Sequence, residues 1–323
     1  MFTFRLQSFL RRTAQLAVVL VGSTFLLAML LLLLPVGMEE LYVISVDEAG
    51  RLAQLKRLRL DRNPVFGYLG WLWDFVRGDF GPIIYPGAGE EAVSGRVTRA
   101  LPISLLIVLY VQVVALLVAI PLGIATAYRA GTKGEKVVSY SLFTASAIPN
   151  FVFALLLAAF FGVTLGWLPP LGYVPLSEDV VGHLRTMVLP VLALAIPTVA
   201  TYTRLLRTDV IAALREDYVT MAVSKGLSNK RILLTHVLRP SSVTLLTSAA
   251  LNMGGLIGGT LVIEQIFSIP GMGSEIALAI FGRQYFALQS YVALIAVGYV
   301  LFNVLVDVAI GAVDPRARGR RNA

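Results

Sequence analysis

The sequence predicts an all-α integral membrane protein with six transmembrane helices. Of its 323 residues, 57% are apolar and only 14% are charged, and the mean hydropathy is +0.79; a soluble chain is about a quarter charged. The charges are clustered, and six segments contain no Asp, Glu, Lys or Arg: 13–38, 100–128, 137–177, 186–203, 240–263 and 284–306. Since about 20 apolar residues cross roughly 30 Å of hydrocarbon, each segment can supply one span.

The first span, at about 15–34, is expected to remain in the protein as a helix. The basic pair Arg11 and Arg12 before it also fits a signal peptide. However, the apolar run is longer than a signal h-region, and no A-x-A-like cleavage site follows Pro35. The other five spans are predicted at 102–128, 138–165, 186–206, 242–263 and 288–312.

The distribution of Lys and Arg predicts that both termini are cytoplasmic. With that orientation, the cytoplasmic segments hold 17 basic and five acidic residues, whereas the extracytoplasmic segments hold ten basic and 13 acidic residues. Positively charged loops resist translocation, so this orientation is favoured. The net charge of +8 is therefore explained by the bilayer, and no nucleic-acid partner is expected.

Composition also excludes several kinds of catalytic and metal site. The chain has no cysteine, which excludes disulfides and thiolate metal sites. Its two histidines, His183 and His236, lie about fifty residues apart, which argues against a histidine metal cluster or a Ser-His-Asp triad. We expect both to be ordinary surface residues, His183 in an external loop and His236 in a cytoplasmic loop.

The chain divides into three predicted regions. Residues 1–35 form the N-terminal tail and first helix, residues 36–99 form an extracytoplasmic segment, and residues 100–323 form a five-helix core. The 36–99 segment mixes charges with aromatic residues. We interpret it as a small folded cap or an interfacial segment, with Trp71 and Trp73 at the depth of the lipid headgroups.

The longest cytoplasmic segment, 204–241, carries the strongest local pattern. Residues 209–223 show helical periodicity, and Gly226 follows as a helix C-terminal glycine does. A second short helix is predicted at 229–238, ended by Pro240. Two short helices hinged at a glycine suit a partner protein, but their basic residues equally suit the membrane surface. Periodicity leaves both interpretations open.

Within this segment, the run EDYVTMAVSKGLS at 216–228 resembles the EAA loop of binding-protein-dependent ABC transporter permeases. It is similar to the E-D-Y-V-x-x-A-x-x-K-G-L form of the oligopeptide/dipeptide permease family. The run HVLRP at 236–240 resembles the end of that motif. Two departures stand out: Thr220 replaces the glutamate of the general E-A-A triplet, and Pro240 falls one position late.

Four further motifs of the same family occur in order along the chain. They are RGDFG at 77–81, IPNF at 148–151 with LGWLPPLGY at 165–173, EQIFSIPGMG at 264–273, and DPR at 314–316. A further motif of the family, L-A-P-G-D-P after the first span, is absent, and LPVGME stands at 34–39 instead.

The resemblance implies the fold and working partners of a type I ABC importer permease in the bacterial cytoplasmic membrane. Such a chain pairs with a second homologous permease subunit, two ABC ATPase subunits and an extracytoplasmic substrate-binding protein, and it takes peptides as solute. It is not an enzyme and binds no cofactor, because ATP and Mg bind to the ATPase subunits. The residues that the resemblance assigns to ATPase coupling are Glu216, Asp217, Tyr218, Ala222, Lys225, Gly226 and Leu227.

Other functions remain as alternatives. The first is an ATP-independent secondary transporter or channel; a proton-coupled carrier needs ionisable residues in several spans, and the sequence places only Asp307 in one. We expect Asp307 to form a structural hydrogen bond. The chain has no Walker A motif of its own. The same ABC role with a non-peptide solute, such as a nickel complex or a sugar, also stays open, and a membrane-bound enzyme is least supported.

Overall fold

A computed structural model describes residues 18, 20–31, 33, 48–57, 61, 63–85 and 89–313, with only the backbone of Gln54, Arg57 and 303–313. The predicted tail, the DPR motif and the side chain of Asp307 therefore lie outside the described residues. The chain forms two compact units. The first comprises residues 1–102 and 271–300, and the second comprises residues 103–270 and 301–323.

Helices make up nearly all of the described structure. Two elements, α4 and α11, run through the boundary between the units. The elements in chain order are α1 (Leu20–Leu31), α2 (Glu48–Arg57), α3 (Pro64–Val76), β1 (Pro82–Tyr85), β2 (Gly89–Ala92), α4 (Val93–Tyr128), α5 (Lys133–Ala147), α6 (Asn150–Thr164), α7 (Val180–Leu214), α8 (Asp217–Ser224), α9 (Asn229–Phe267), α10 (Met272–Phe281) and α11 (Tyr285–Val313).

Four of the described helices, α4, α7, α9 and α11, are long and apolar enough to cross a membrane. The pair α5 and α6 gives a fifth span if the two are counted together. The all-α membrane architecture is thus confirmed. The count of six stays a prediction, because α1 is described only as a shorter apolar helix.

The third predicted span, 138–165, is not one continuous helix. The chain bends by 102° between α5 and α6. Ile148 is extended, with φ −81° and ψ 128°, and Pro149 precedes the first residue of α6. The cause is local, because a residue before proline avoids the helical region and proline has no N–H to continue the ladder.

The core of the second unit is built around α7. Leu189 and Leu194 of α7 are fully buried with Ile107 of α4 and with Ile263 and Phe267 of α9. Helix α7 continues through Pro190 and Pro197. In a membrane protein, neighbouring helices can cover the backbone carbonyls that a proline leaves without a hydrogen bond. Helix α7 is capped at its start by Asp179, whose side chain accepts a hydrogen bond from the N–H of Val181 at 2.9 Å.

The first unit contains a short antiparallel hairpin, β1–β2, that composition did not predict. Pro82 pairs with Ala92 in its register. The side chain of Gln284 completes the edge of β1: its Oε1 accepts from the N–H of Ile84 at 3.0 Å, and its Nε2 donates to the carbonyl of Ile84 at 2.7 Å. A side-chain amide thereby satisfies backbone groups that an edge strand leaves open.

Two polar residues assigned to external loops are instead buried in helices. His183 is fully buried in α7; its Nδ1 lies 2.8 Å from the carbonyl of Val174 and its Nε2 lies 3.2 Å from the hydroxyl of Tyr110. Because a carbonyl only accepts, the contact with Val174 places a proton on Nδ1; in the neutral ring, Nε2 then accepts from the tyrosine hydroxyl. Glu264 is fully buried near the end of α9 and accepts a hydrogen bond from the Ser104 hydroxyl at 2.7 Å.

The position of Glu264 also corrects the argument against an ion-coupled carrier. The fifth span was predicted to end at residue 263, because Glu264 is charged. The helix α9 instead continues to Phe267. The described helices therefore hold a buried acid that was not counted.

Candidate functional site

The candidate site is the coupling segment, defined as residues 216–227, which begins two residues after α7 ends. The N–H of Arg215 bonds to the carbonyl of Ala212 at 3.1 Å, and that of Glu216 bonds to the carbonyl of Ala213 at 3.2 Å. The chain then re-enters a helix as α8. A single helix over 209–223 was predicted; the break at 215–216 shows that it is two, joined by a hydrogen-bonded turn.

Gly226 ends α8 in the way the sequence predicted. Its φ is +71°, in the left-handed region that favours glycine. The N–H of Leu227 donates to the carbonyl of Ala222 at 3.2 Å, and the N–H of Gly226 donates to the carbonyl of Val223 at 2.9 Å. These two bonds form a complete Schellman motif. The motif satisfies the last carbonyls of α8 and fixes the direction in which the chain leaves it.

Helix α8 has an inner and an outer face. Val219 and Ala222 are buried against the ends of α7 and α9, and Leu227 packs against the same cluster. Tyr218 and Met221 are exposed, at 42% and 59%. The family resemblance assigns Ala222 to the ATPase-coupling residues. The structure instead turns its side chain inward, where it holds α8 on the protein.

The other members of the predicted coupling set are on the surface. Glu216, Asp217, Lys225 and Gly226 are all exposed. Asp217 stands in the first turn of α8, where a carboxylate is favoured by the helix dipole. The outer face thus offers two acids at one end, an aromatic and a methionine in the middle, and a lysine at the other end.

Tyr218 is held in its neutral form at this surface. Partial burial raises the pKa of its phenol, and the nearby carboxylate of Glu216 raises the pKa further. The phenol therefore remains protonated at neutral pH. It can donate a hydrogen bond to a partner while its ring supplies apolar contact, which suits a residue at a protein interface.

The second helix predicted in this segment is not a separate element. A helix of 229–238 ended by Pro240 was expected, but α9 runs from Asn229 through Pro240 to Phe267. Residues 232–237 have the wider π-helical form. The π-helical turn therefore lies just before Pro240. Proline has no N–H, so it interrupts the regular α-helical hydrogen bonds at this point.

A partly buried ion pair connects α7 to α5. The Nη2 of Arg207 lies 3.0 Å from Oε1 of Glu135, whose residue is only 7% exposed. The same carboxylate accepts from the Ser139 hydroxyl at 2.7 Å. Thr132 caps α5 by accepting from the N–H of Glu135 at 3.2 Å. The pair therefore joins this part of α7 to the first turn of α5.

A polar cluster also joins three long helices. The hydroxyl of Tyr202 in α7 donates to Oε1 of Gln112 in α4 at 3.1 Å and accepts from Nδ2 of Asn252 in α9 at 3.1 Å. Gln112 and Asn252 therefore form interhelical hydrogen bonds through Tyr202. Polar side chains commonly hold membrane helices together in this way.

Sequence reasoning missed Glu135 and Arg207, although one signal for Glu135 was present. The run Thr132 to Glu135 has the T-x-x-E spacing of a capping box. The partner of Glu135, which is Arg207 on α7, could not be identified without the fold. Within the part of the chain that the structure describes, no group of three acidic or histidine residues is placed to hold a metal.

These features describe a multi-pass membrane protein in which a short helix with an exposed outer face, α8, is packed against the ends of two long helices. The class of protein that these features fit is a membrane transport permease. Residues 119–319 match the family described as binding-protein-dependent transport system inner membrane component. The chain belongs to this family. It is a non-catalytic, multi-pass component of the cytoplasmic membrane.

Individual relatives support the same assignment along nearly the whole chain. The chain is 32% identical to the oligopeptide transport system permease protein AppB of Bacillus subtilis (strain 168) over 95% of its length and 98% of the relative. It is also 32% identical to a putative peptide transport system permease protein of Brucella abortus (strain 2308), over 96% and 98%. Its fold resembles a chain of the MetNI methionine ABC transporter in inward-facing form, with a TM-score of 0.57 at 14% identity, covering 68% of this chain and 96% of that one.

Proposed function

We propose that this chain is the permease subunit of an ATP-driven ABC importer for peptides and forms half of the translocation pathway. The observation that carries the proposal is the coupling segment: in a family member, a helix with an exposed outer face is fixed to the end of a long core helix. It would contact one of two cytoplasmic ATPase subunits, which bind ATP and Mg.

The geometry supports a mechanical role for this segment. Val219 and Ala222 hold α8 on the protein, and the turn at 215–216 ties it to α7. Force applied to Tyr218 would therefore move α7 rather than bend a loose loop. From α7 the movement would pass to α5 through the pair of Arg207 and Glu135. Packed helices transmit such shifts as rigid bodies.

Peptide is the proposed solute because the named relatives are peptide and oligopeptide permeases and match over nearly their full length. A second homologous permease subunit would complete the pathway, and an extracytoplasmic substrate-binding protein would deliver the solute. We propose six spans in all, with α1 belonging to the first and both termini cytoplasmic. This topology keeps the coupling segment on the same side as ATP.

The docking role can be tested by photo-crosslinking in the intact transporter. A benzoylphenylalanine placed at Tyr218, which is 42% exposed, should crosslink to an ATPase subunit. Tyr128 is a matched control, because it is also a tyrosine, is 49% exposed and ends α4 on the proposed cytoplasmic side. Equal crosslinking at both positions, or none at Tyr218, would count against the proposal.

A further inference from the structure

Helix α3, in the segment 36–99, has two separate apolar faces. One consists of Tyr68, Trp71 and Phe75, which are buried or half-buried. The other is the outer stripe, defined as Val65, Phe66, Leu69, Trp73 and Val76, all of which are exposed. At 100° per residue the outer stripe occupies about 100° of the helix circumference. A helix with only one protein-facing side does not need this second stripe.

The inner face attaches α3 to two apolar helices of its unit. The hydroxyl of Tyr68 donates to the carbonyl of Val21 at 3.0 Å and lies 2.9 Å from the Thr24 hydroxyl, both in α1. The indole N–H of Trp71 donates to the hydroxyl of Ser290 in α11 at 3.1 Å. The rings of Tyr68, Trp71 and Phe75 then stack in sequence at centroid distances of 5.7 and 5.3 Å.

In the proposed topology, in which α1 belongs to the first span, these contacts place α3 alongside membrane-spanning helices. Val21 and Thr24 lie well inside the charge-free segment 13–38, not at its ends. Helix α11 is itself long and apolar enough to span a membrane. The inner side of α3 is bonded to the middle of α1 and to α11. The outer side of α3 therefore faces the medium that surrounds these two helices.

We propose that the outer stripe of α3 binds the acyl chains and headgroup region of the membrane lipid. Phe66, Trp73 and Val76 are 65%, 58% and 72% exposed, and large apolar side chains that are exposed together on one face mark an interaction surface. Trp73 suits the boundary of the bilayer, because its ring is apolar and its N–H is polar.

A polar residue stands at each end of α3, next to the outer stripe. Asn63 caps the first turn by accepting from the N–H of Val65 at 3.0 Å. At the other end, the guanidinium of Arg77 lies 4.3 Å from the ring centre of Trp73. A cation over the last ring of the stripe can reach the phosphate of a lipid while the preceding side chains stay in hydrocarbon.

This lipid contact can be measured with spin labels, because the chain contains no cysteine. Single cysteines at Phe66, Leu69 and Trp73 carry a nitroxide in the assembled transporter, whose other subunits are made cysteine-free, in lipid bilayers. Ser94, exposed at the start of α4, is the control. Collision rates with oxygen, which concentrates in lipid, are compared with those of a water-soluble nickel chelate.

The proposal predicts an oxygen-to-nickel collision ratio severalfold higher at the three stripe positions than at Ser94. Ratios equal to that of Ser94 would show a water-exposed cap and overturn the proposal. Low collision rates with both reagents would also overturn it, because the stripe would then be covered by a second permease or a binding protein. Three independent positions keep the test decisive if one variant fails to assemble.

Discussion

Replacement of Gly226 tests the coupling segment with an energy that follows from its backbone. At φ +71°, no atom lies within 4 Å of the position that a β-carbon would occupy. Alanine would therefore meet no neighbour, and its penalty is that of the left-handed conformation itself, about 1 kcal/mol. Asparagine tolerates this region and should be less affected, whereas valine should be more affected because it is β-branched.

About 1 kcal/mol changes a local equilibrium roughly fivefold. The Schellman motif should therefore be open for a larger part of the time, and α8 should transmit less movement to α7. The assay is solute taken up per ATP hydrolysed, by the complete transporter in proteoliposomes. The expected order of coupling is Gly, Asn, Ala, Val, with membrane insertion and subunit assembly retained.

Gly134 is a matched control for this series. It lies in the first turn of α5, has no positive φ, and also has open space at its β-carbon position. Gly134→Ala should leave coupling unchanged, because alanine is the better helix former by about 1 kcal/mol. If Gly226→Ala and Gly226→Val couple as well as Gly134→Ala, the reasoning about the hinge is refuted.

Three further predictions test the links around the site. Glu135→Arg and Arg207→Glu should each lower solute uptake per ATP, and the double charge swap should restore part of it; no restoration would deny a direct mechanical link. Tyr202→Phe should lower the free energy of unfolding by about 1 kcal/mol, seen as a lower denaturation midpoint in detergent; an unchanged midpoint would show that its hydrogen bonds add nothing. The Arg96 guanidinium donates a hydrogen bond to Glu91 at 3.0 Å and lowers the pKa of that carboxyl group. The pair therefore stabilises the folded protein fully at pH values above the ordinary glutamate pKa of about 4.3, and this stabilisation is lost as the pH falls through the lower pKa of Glu91 in the folded protein. The Tm difference between wild type and Glu91→Gln should accordingly shrink in acid, and a constant difference would contradict this.

The long helices were predictable because hydrocarbon thickness acts on composition directly. Segments without charge correspond to α4, α7, α9 and α11, although each of these helices extends beyond its segment. Charges mark where a chain meets water, but a helix can continue past that point. This is why Glu264 was assigned to a loop while it lies buried in α9.

Features that depend on the partner of a side chain were not predictable in the same way. Pro149 was visible in the sequence, yet a proline inside a span does not specify whether the helix kinks slightly or bends by 102°. The environment of His183 depends on Tyr110, which is distant along the chain. Gly226 was predicted correctly, because the left-handed cap is a local property of one residue and its helix.

The inner and outer faces of α8 also required the fold. Periodicity showed that Ala222 and Tyr218 belong to one short helix, but not which side would be covered by α7 and α9. The structure buries Ala222 and leaves Tyr218 exposed. The candidate docking surface is therefore smaller than the motif, and it is concentrated on Tyr218, Met221 and the charged residues at the two ends.

A cryo-electron microscopy structure of the assembled transporter tests the central claim most directly. It should show the outer face of α8 in a groove of a nucleotide-binding subunit, with the ring of Tyr218 in contact with that subunit and Ala222 still packed inside this chain. A map in which α8 projects into solvent, or lies against lipid headgroups with no other subunit touching it, would contradict the account.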